Sequence, residues 1–306
     1  MLDLIIIGAG PAGITATVYA ARKRMELLVI TGDIGGQAAW SGDIENYTGY
    51  QFISGPELVL KFEEHMRKYG SALRENEKVT NLEKIKEKIV VRTDKGVYEA
   101  KTAIIASGKR SRELNVLGEK EFKNKGISYC ATCDGPLFSG KKVAIIGGGN
   151  SALDAALQLI KIAKQVYIIN NSAELSGDAV MQEKLSQDSR VIVFNNAKVT
   201  AITGDKFVTG LRLEKADKEE ELAVGGIFIE IGLVPNSEFA TSLEKNQLKE
   251  IKVDRYNQTS VPGIFAAGDV SDVTEKQIII AAGEGAKAAL RAFRYLSRHN
   301  FISQDG

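Results

Sequence analysis

Cys130 and Cys133 stand three positions apart in the run Cys130-Ala131-Thr132-Cys133-Asp134-Gly135. The thiolate is the form of cysteine that attacks a disulfide, and a C-x-x-C pair with a lowered thiol pKa suits thiol–disulfide exchange. Asp134 follows at once and could manage the thiol proton, provided the fold partly desolvates its carboxyl. With only two cysteines and two histidines, the chain offers neither a disulfide framework nor the four ligands of a structural zinc site, so no metal is expected. The competing readings are two inert buried thiols and, for Asp134, a turn residue ahead of Gly135.

Two glycine-rich turns frame this dithiol. The first, Gly8-Ala9-Gly10-Pro11-Ala12-Gly13, follows the apolar run Leu2 to Ile7 and precedes Ile14, Val18 and Ala21, which are spaced as one face of a helix; Leu27 to Ile30 then reads as the next strand. The second, Gly147-Gly148-Gly149-Asn150-Ser151-Ala152, follows Val143 to Ile146 and leads into Leu153, Leu157 and Ile160, then the strand Val166 to Ile169. Each is a βαβ unit with a glycine turn at its first corner, where backbone N–H groups can approach a pyrophosphate at a helix N-terminus. A glycine turn can also serve only to pack a helix closely on a sheet, but two copies around a dithiol point to an electron relay.

Further along, Gly96 to Gly108 reads as two strands ending at a small-residue turn. Gly263-Ile264-Phe265-Ala266-Ala267-Gly268-Asp269 reads as a short strand returning to the first sheet and placing Asp269 at its ligand edge, ahead of an alanine-rich helix from Ile278 to Leu296. The expected architecture is α/β: two Rossmann-like doubly wound domains, the first discontinuous (1–112 and 241–306) and interrupted by the second (113–240), which carries the dithiol.

The 306 residues and 44% hydrophobic content are enough for two cores, and a net charge of +1 leaves no global field to attract nucleic acid or an anionic membrane. No apolar run approaches the roughly 20 residues of a membrane span, and the opening segment lacks a basic n-region, so a cytoplasmic location is expected. The stretch Lys78 to Lys88 alternates acids and bases and reads as an exposed hairpin. His65 falls on an amphipathic helix from Pro56 to Tyr69 and His299 in a basic tail; neither is expected to act in chemistry. Trp40 could pack near a ligand or at a subunit contact.

The chain resembles the low-molecular-weight thioredoxin reductases and the C-terminal flavoprotein portion of alkyl hydroperoxide reductase over almost its whole length. The resemblance rests on Gly8 to Gly13, Gly35-Gly36-Gln37, Glu45-Asn46-Tyr47, Cys130 to Gly135, Gly147 to Ala152 and Gly268-Asp269-Val270. Asp134 to Phe138, Gly226 to Ile229 and Lys276 to Ile280 are closer to the peroxide-reductase flavoprotein. The resemblance implies FAD in the first domain, a nicotinamide nucleotide in the second, a homodimer, and electron flow through flavin and dithiol to a thioredoxin- or glutaredoxin-like protein. By the same resemblance, Cys133 faces the flavin and Cys130 attacks the partner disulfide, with Asp134 as acid or base. Gly8, Gly10, Pro11, Ala12 and Gly13 would hold the FAD pyrophosphate, Gly36, Gln37 and Asn46 would line the flavin, Gly268 and Asp269 would reach the ribityl chain, and Gln277 and Ile278 would flank the ring. Gly147, Gly149, Asn150, Ser151 and Ala152 would hold the nicotinamide nucleotide.

One stretch departs from the NADPH-using pattern, in which His-Arg-Arg ends the second strand of the inserted unit. Here the match is Ile169-Asn170-Asn171-Ser172-Ala173-Glu174-Leu175-Ser176-Gly177-Asp178, which has no arginine. A 2′-phosphate needs charge-assisted donors and would instead meet amides, Glu174 and Asp178. The stretch therefore favours NADH over NADPH, with Asn170 at the ribose. Donation by a reduced ferredoxin-type carrier, and a flavin-bound redox sensor that does not turn over, are the alternatives.

Overall fold

The computed structural model describes residues 1–41, 43–216 and 218–299; the side chains of Trp40, Asp43 and Cys133 are outside that description, and with them the expectation for Trp40. The chain divides into two compact units, Met1–Arg110 with Val234–Gly306, and Ser111–Leu233.

In the first unit β1 (Leu2–Ala9), α1 (Pro11–Arg22) and β2 (Leu27–Ile34) form the βαβ corner, with Ile5 beside Leu28 in parallel register. Leu4, Ile5 and Ile6 are all fully buried, as expected of a parallel strand covered on both faces. The short strands β3 (Asp43–Ile44) and β4 (Ile53–Ser54) pair antiparallel and lead into α2 (Gly55–Arg67). Ser54 caps α2, its Oγ accepting from Glu57 N at 3.4 Å, and His65 sits on the exposed face. β5 (Ala72–Arg74) adds to β2, and β6 (Val79–Ile85) and β7 (Lys88–Thr93) form the hairpin read from the alternating charges, with Leu82 on its buried side. β8 (Val97–Ile105) is one strand where the sequence suggested two. It pairs with antiparallel β7 along Val97–Ala100 and with parallel β1 along Ala100–Ile105, so no turn is needed between them. The chain then leaves through β9 (Lys109–Ser111).

The second unit runs β10 (Ile127–Ser128), α3 (Ala131–Asp134), β11 (Lys142–Ile146), α4 (Asn150–Leu159), β12 (Gln165–Ile169), α5 (Ala179–Ser186) and β13 (Val191–Phe194). It continues with the antiparallel β14 (Ala197–Gly204), β15 (Val208–Lys215) and β16 (Lys218–Ala223), then β17 (Gly226–Ile229) and the exit strand β18 (Leu233–Pro235), which pairs with β9. Its main sheet is wholly parallel in the order β10-β17-β11-β12-β13. Along α4 the fully buried leucines are Leu153 and Leu159, whereas Leu157 and Ile160 are only partly covered. The face is rotated from the one read in the sequence because Ala152, Ala155 and Ala156 lie against the sheet.

The return to the first unit falls at Val234, ahead of the boundary after residue 240 read from the sequence. Residues 236–240 are tied to the first unit: Phe239 O accepts from Leu82 N at 3.1 Å, Ser107 Oγ donates to Asn236 O at 2.6 Å, and Ala240 is buried in the cluster containing Ile5, Leu82 and Ile264. β19 (Ile264–Ala266) then pairs in parallel with β8, Ile264 beside Ala103, and α6 (Ile278–Arg298) closes the unit. α6 buries Ala281, Ala282, Gly285, Ala288, Ala289 and Ala292. This small-residue face lets α1 come so close that a Cβ at Gly285 would lie 2.0 Å from the Ala12 carbonyl oxygen. His299 closes α6, its ring stacked on Tyr295 at 4.1 Å. Among the described residues no helix is long and apolar enough to cross a membrane.

Candidate functional site

The first unit gathers its candidate residues around the start of α1. Gly10 precedes the helix in an extended conformation, Pro11 occupies the first turn, and neither a side-chain cap nor an acid stands there. The first-turn amides and the positive end of the helix dipole are therefore set toward an anion. Gly8 and Gly13 serve a different purpose, close packing: a Cβ at Gly13 would meet Gly8 O at 1.9 Å, and one at Gly8, whose φ is +102°, would meet Ala106 O at 2.4 Å. A Cβ at Gly10 would find nothing nearer than Gly35 O at 3.8 Å, so the room beside it suits a phosphate.

The other candidates come to the same place from distant parts of the chain. Gly35 N donates to Ala9 O at 2.7 Å, which brings Gly36 and Gln37 to the turn; Gln37 Nε2 donates to Lys109 O at 2.7 Å. A Cβ at Gly268, whose φ is +73°, would lie 3.1 Å from that of Ala12, so the Asp269 turn abuts α1. Asn46 Nδ2 donates to Gln277 Oε1 at 3.1 Å, and Ile278 packs on the small cluster of Ile44, Ile53 and Leu58. Burial raises the Asp269 carboxyl pKa, opposed by Lys276 and Lys109. A phosphate-binding helix start with amide and carboxylate groups beyond it fits the phosphates, hydroxyls and ring heteroatoms of FAD.

Sequence reasoning missed the ion cluster that supports Asp269. Buried Glu250 receives Lys109 Nζ at 2.8 Å and Asn246 Nδ2 at 2.6 Å, and Lys276 Nζ lies 3.2 Å away while donating to Ser271 O at 2.6 Å. Burial pushes the Glu250 carboxyl up, but these three donors outweigh it and hold its pKa at about 2. Lys109 and Glu250 stand 141 residues apart, so no local pattern announces the pair.

The second unit repeats the helix-start geometry. Gly149 precedes α4 in an extended conformation without a side-chain cap or an acid in the first turn, and Ala152 is fully buried. The loop after β12 folds over this turn, with Ser176 N and Gly177 N donating to Gly148 O at 2.8 and 3.1 Å, and Asn150 Oδ1 accepting from Asp178 N at 2.7 Å. Asp178 is spent as the cap of α5, accepting from Val180 N and Met181 N, and Glu174 is exposed.

Asn170 sits otherwise than the sequence suggested. It is 4% exposed, and its amide donates to Ser172 O, Glu174 O and Asn195 Oδ1 at 3.1, 2.9 and 3.0 Å, while its Oδ1 accepts from Ser172 N at 3.3 Å. Its donors are consumed in shaping the loop after β12, which folds over the start of α4.

The dithiol turn lies in the same unit. Ser128 Oγ accepts from Cys130 N at 3.0 Å and donates to Cys130 O at 3.1 Å, and Asp134 N closes the turn onto Cys130 O at 3.2 Å. Thr132 Oγ1 donates to Gln158 Oε1 on α4 at 2.8 Å. Cys130 is disulfide-bonded, the oxidised state of an exchange centre. Asp134, half-buried, lines a groove of about 620 Å³ together with Leu137, Phe138, Lys141 and Phe207. Immediately upstream, buried Glu119 receives the Tyr129 hydroxyl at 2.8 Å and the amides of Leu114 and Asn115, fixing the approach to the dithiol.

Each of the two Rossmann-like units opens a helix on a glycine turn, and one of them carries the C-x-x-C turn. The chain belongs to the pyridine nucleotide-disulphide oxidoreductase family, whose model matches residues 2–285. It is 42% identical over 301 residues to a Bacillus subtilis protein called NADH dehydrogenase and 43% identical to an alkyl hydroperoxide reductase component of Staphylococcus aureus, covering 97% of this chain and 59% of each relative. The chain thus spans about three fifths of the length of these curated relatives. Lactococcus lactis thioredoxin reductase superposes with a TM-score of 0.87 at 35% identity, covering 97% of this chain and all of that one. The family implies FAD and a nicotinamide nucleotide as cofactors.

Proposed function

We propose that this protein is an FAD-dependent protein-disulfide reductase that takes electrons from NADH in preference to NADPH and delivers them through the Cys130/Cys133 dithiol to a thioredoxin- or glutaredoxin-like protein. In this reading Met1–Arg110 with Val234–Gly306 holds FAD, Ser111–Leu233 holds the nicotinamide nucleotide, and the protein works as a cytoplasmic homodimer. Bound FAD supplies the two-electron exchange between a nicotinamide and a disulfide.

The observation that carries the reading is the disulfide-bonded Cys130 on a turn pinned by Ser128 and by the Thr132–Gln158 bond, in the unit that carries the second glycine turn. Reduction of that disulfide takes two electrons and two protons. The thiolate of Cys130 then attacks the partner's disulfide to give a mixed disulfide, and Cys133 displaces the partner as a dithiol while the internal disulfide re-forms. Asp134 takes and returns the thiol proton. The first-turn amides of α1 and α4 bind phosphates, and Asp269 with Gln37 orients hydroxyl and ring groups. Preference for NADH follows from a loop, residues 170–178, with no cation for a 2′-phosphate.

The test is anaerobic titration of the purified yellow protein with each nicotinamide, then turnover with a thioredoxin-like disulfide. NADH should bleach the flavin absorbance within a catalytic time and give kcat/KM at least about tenfold above NADPH, the loss expected when a phosphate lacks its charged donor. A colourless protein that refuses added FAD overturns the reading. Flavin reduced only by a ferredoxin-type carrier overturns the choice of donor, and slow reduction without turnover makes the protein a sensor.

A further inference from the structure

Gln158 lies in the last turn of α4 and belongs to none of the motifs above. Its half-buried carboxamide makes two side-chain hydrogen bonds at once: Oε1 accepts from Thr132 Oγ1 at 2.8 Å, and Nε2 donates to Asp154 Oδ2, one helical turn earlier, also at 2.8 Å. A carboxylate only accepts, so Asp154 takes the nitrogen and leaves the amide oxygen for the threonine hydroxyl. Thr132 stands between the two cysteines, 26 residues away along the chain.

The turn that carries the cysteines is small. α3 is four residues long, with Asp134 N closing on Cys130 O at 3.2 Å, Ser128 Oγ bracketing Cys130 at 3.0 and 3.1 Å, and Ala131 packed in the cluster that contains Leu159. While Cys130 is disulfide-bonded, the covalent bond restrains the turn by itself. Reduction removes that bond. The two thiols then stay close only through non-covalent ties, and the Thr132–Gln158 bond is the side-chain hydrogen bond that reaches from between them to a long helix. A tie that is nearly redundant in the disulfide therefore limits the freedom of the dithiol, where backbone entropy opposes closure.

We propose that Gln158 is a positioning residue of the exchange centre: through Thr132 it keeps the reduced thiols at a high effective concentration, so that Cys133 closes the internal disulfide promptly after Cys130 has joined a partner. This rests on the reading of Cys130 and Cys133 as an exchange pair. In the closing step the Cys133 thiolate attacks the Cys130 sulfur of the mixed disulfide, one S–S bond forms as another breaks, and the partner leaves as a thiolate that takes up a proton. The two electrons given up by the dithiol are those gained by the partner's disulfide. Gln158 and Asp154 carry neither electrons nor protons; they hold Thr132.

The experiment equilibrates the holoprotein anaerobically with mixtures of reduced and oxidised glutathione at about pH 7, quenches in acid, and counts alkylated thiols by mass to give the effective concentration of the pair. Thr132→Val and Gln158→Met should each lower it about fivefold, the equivalent of one ordinary hydrogen bond, and the double variant should lower it no further. Thr132→Ser keeps the hydroxyl and should restore the wild-type constant. Unchanged constants in both single variants, losses that multiply in the double variant, or a loss that Thr132→Ser fails to restore each overturn the proposal. Should Gln158→Met fold poorly, the Thr132→Val and Thr132→Ser pair decides the same question. Glutathione supplies and accepts the electrons here, so the outcome is separate from whether flavin or nicotinamide delivers them, and a protein with no reducible disulfide overturns the exchange-pair reading itself.

Discussion

Asn170→Asp exchanges one side chain for its near-isostere and separates two accounts of the nucleotide edge. If residue 170 reads the ribose, a carboxylate should strengthen NADH binding, since an acid at this strand end accepts from ribose hydroxyls. The structure gives the opposite expectation. The Asn170 amide donates to three oxygens, those of Ser172, Glu174 and Asn195, in a site 4% exposed. An aspartate cannot donate to any of them when ionised. Losing two donor hydrogens costs about 1 kcal/mol each, and leaving buried oxygens unpaired against a carboxylate adds about 1–3 kcal/mol more, so destabilisation of about 3–5 kcal/mol is expected at pH 8. The same surroundings raise the new carboxyl's pKa in the folded state. The folded protein then binds more protons than the unfolded one, so stability falls as pH rises past the ordinary carboxylate range. The loss should shrink on going from pH 8 to about pH 5, where the protonated acid can donate again. Urea unfolding followed by far-UV circular dichroism at both pH values measures this, alongside NADH titration. An unchanged midpoint at pH 8 with tighter NADH binding would refute the reasoning.

Cys133→Ser should leave FAD bound and reducible by NADH while abolishing turnover of a protein disulfide; retained turnover in stopped-flow and steady-state assays removes the relay. Gly285→Val puts a branched side chain where even a Cβ would lie 2.0 Å from Ala12 O, and α1 must move. The expected result is a loss of about 3 kcal/mol or more and weakened FAD retention, read by unfolding and by the flavin-to-protein absorbance ratio. Glu250 has a depressed carboxyl pKa, about 2, and so stabilises the fold above the ordinary glutamate value; that contribution is lost as pH falls through the window down to about 2. Glu250→Gln should therefore lower stability at neutral pH and flatten the acid limb of a stability–pH curve, and an unchanged acid limb counts against the cluster.

Much of the fold was legible because parallel sheets write themselves into the chain. The runs Leu2–Ile7 and Val143–Ile146 are rich in apolar residues since both strand faces are covered, and each ends in a glycine turn that a helix must follow. The dithiol and both turns could be found from spacing alone. The single long β8 could not, because the choice between one strand and two depends on which neighbours pair with it, as does the buried face of α4. At the candidate site, Asn170 shows the limit most clearly: its type and position were plain, but its orientation depends on Asn195, contributed by the loop after a further strand. Glu250 and Lys109 carried no local signal, since each acquires its partners only on folding.

The linear chain by itself determined two dinucleotide-type βαβ corners, a C-x-x-C turn between them, and the absence of cations from residues 170–178, because backbone conformation and residue charge are local properties. Tertiary structure decided where the donors of Asn170 point and which ions surround Asp269. Those outcomes depend on desolvation and on partners brought from far along the chain, and a carboxyl's charge is settled only by the groups that fold around it.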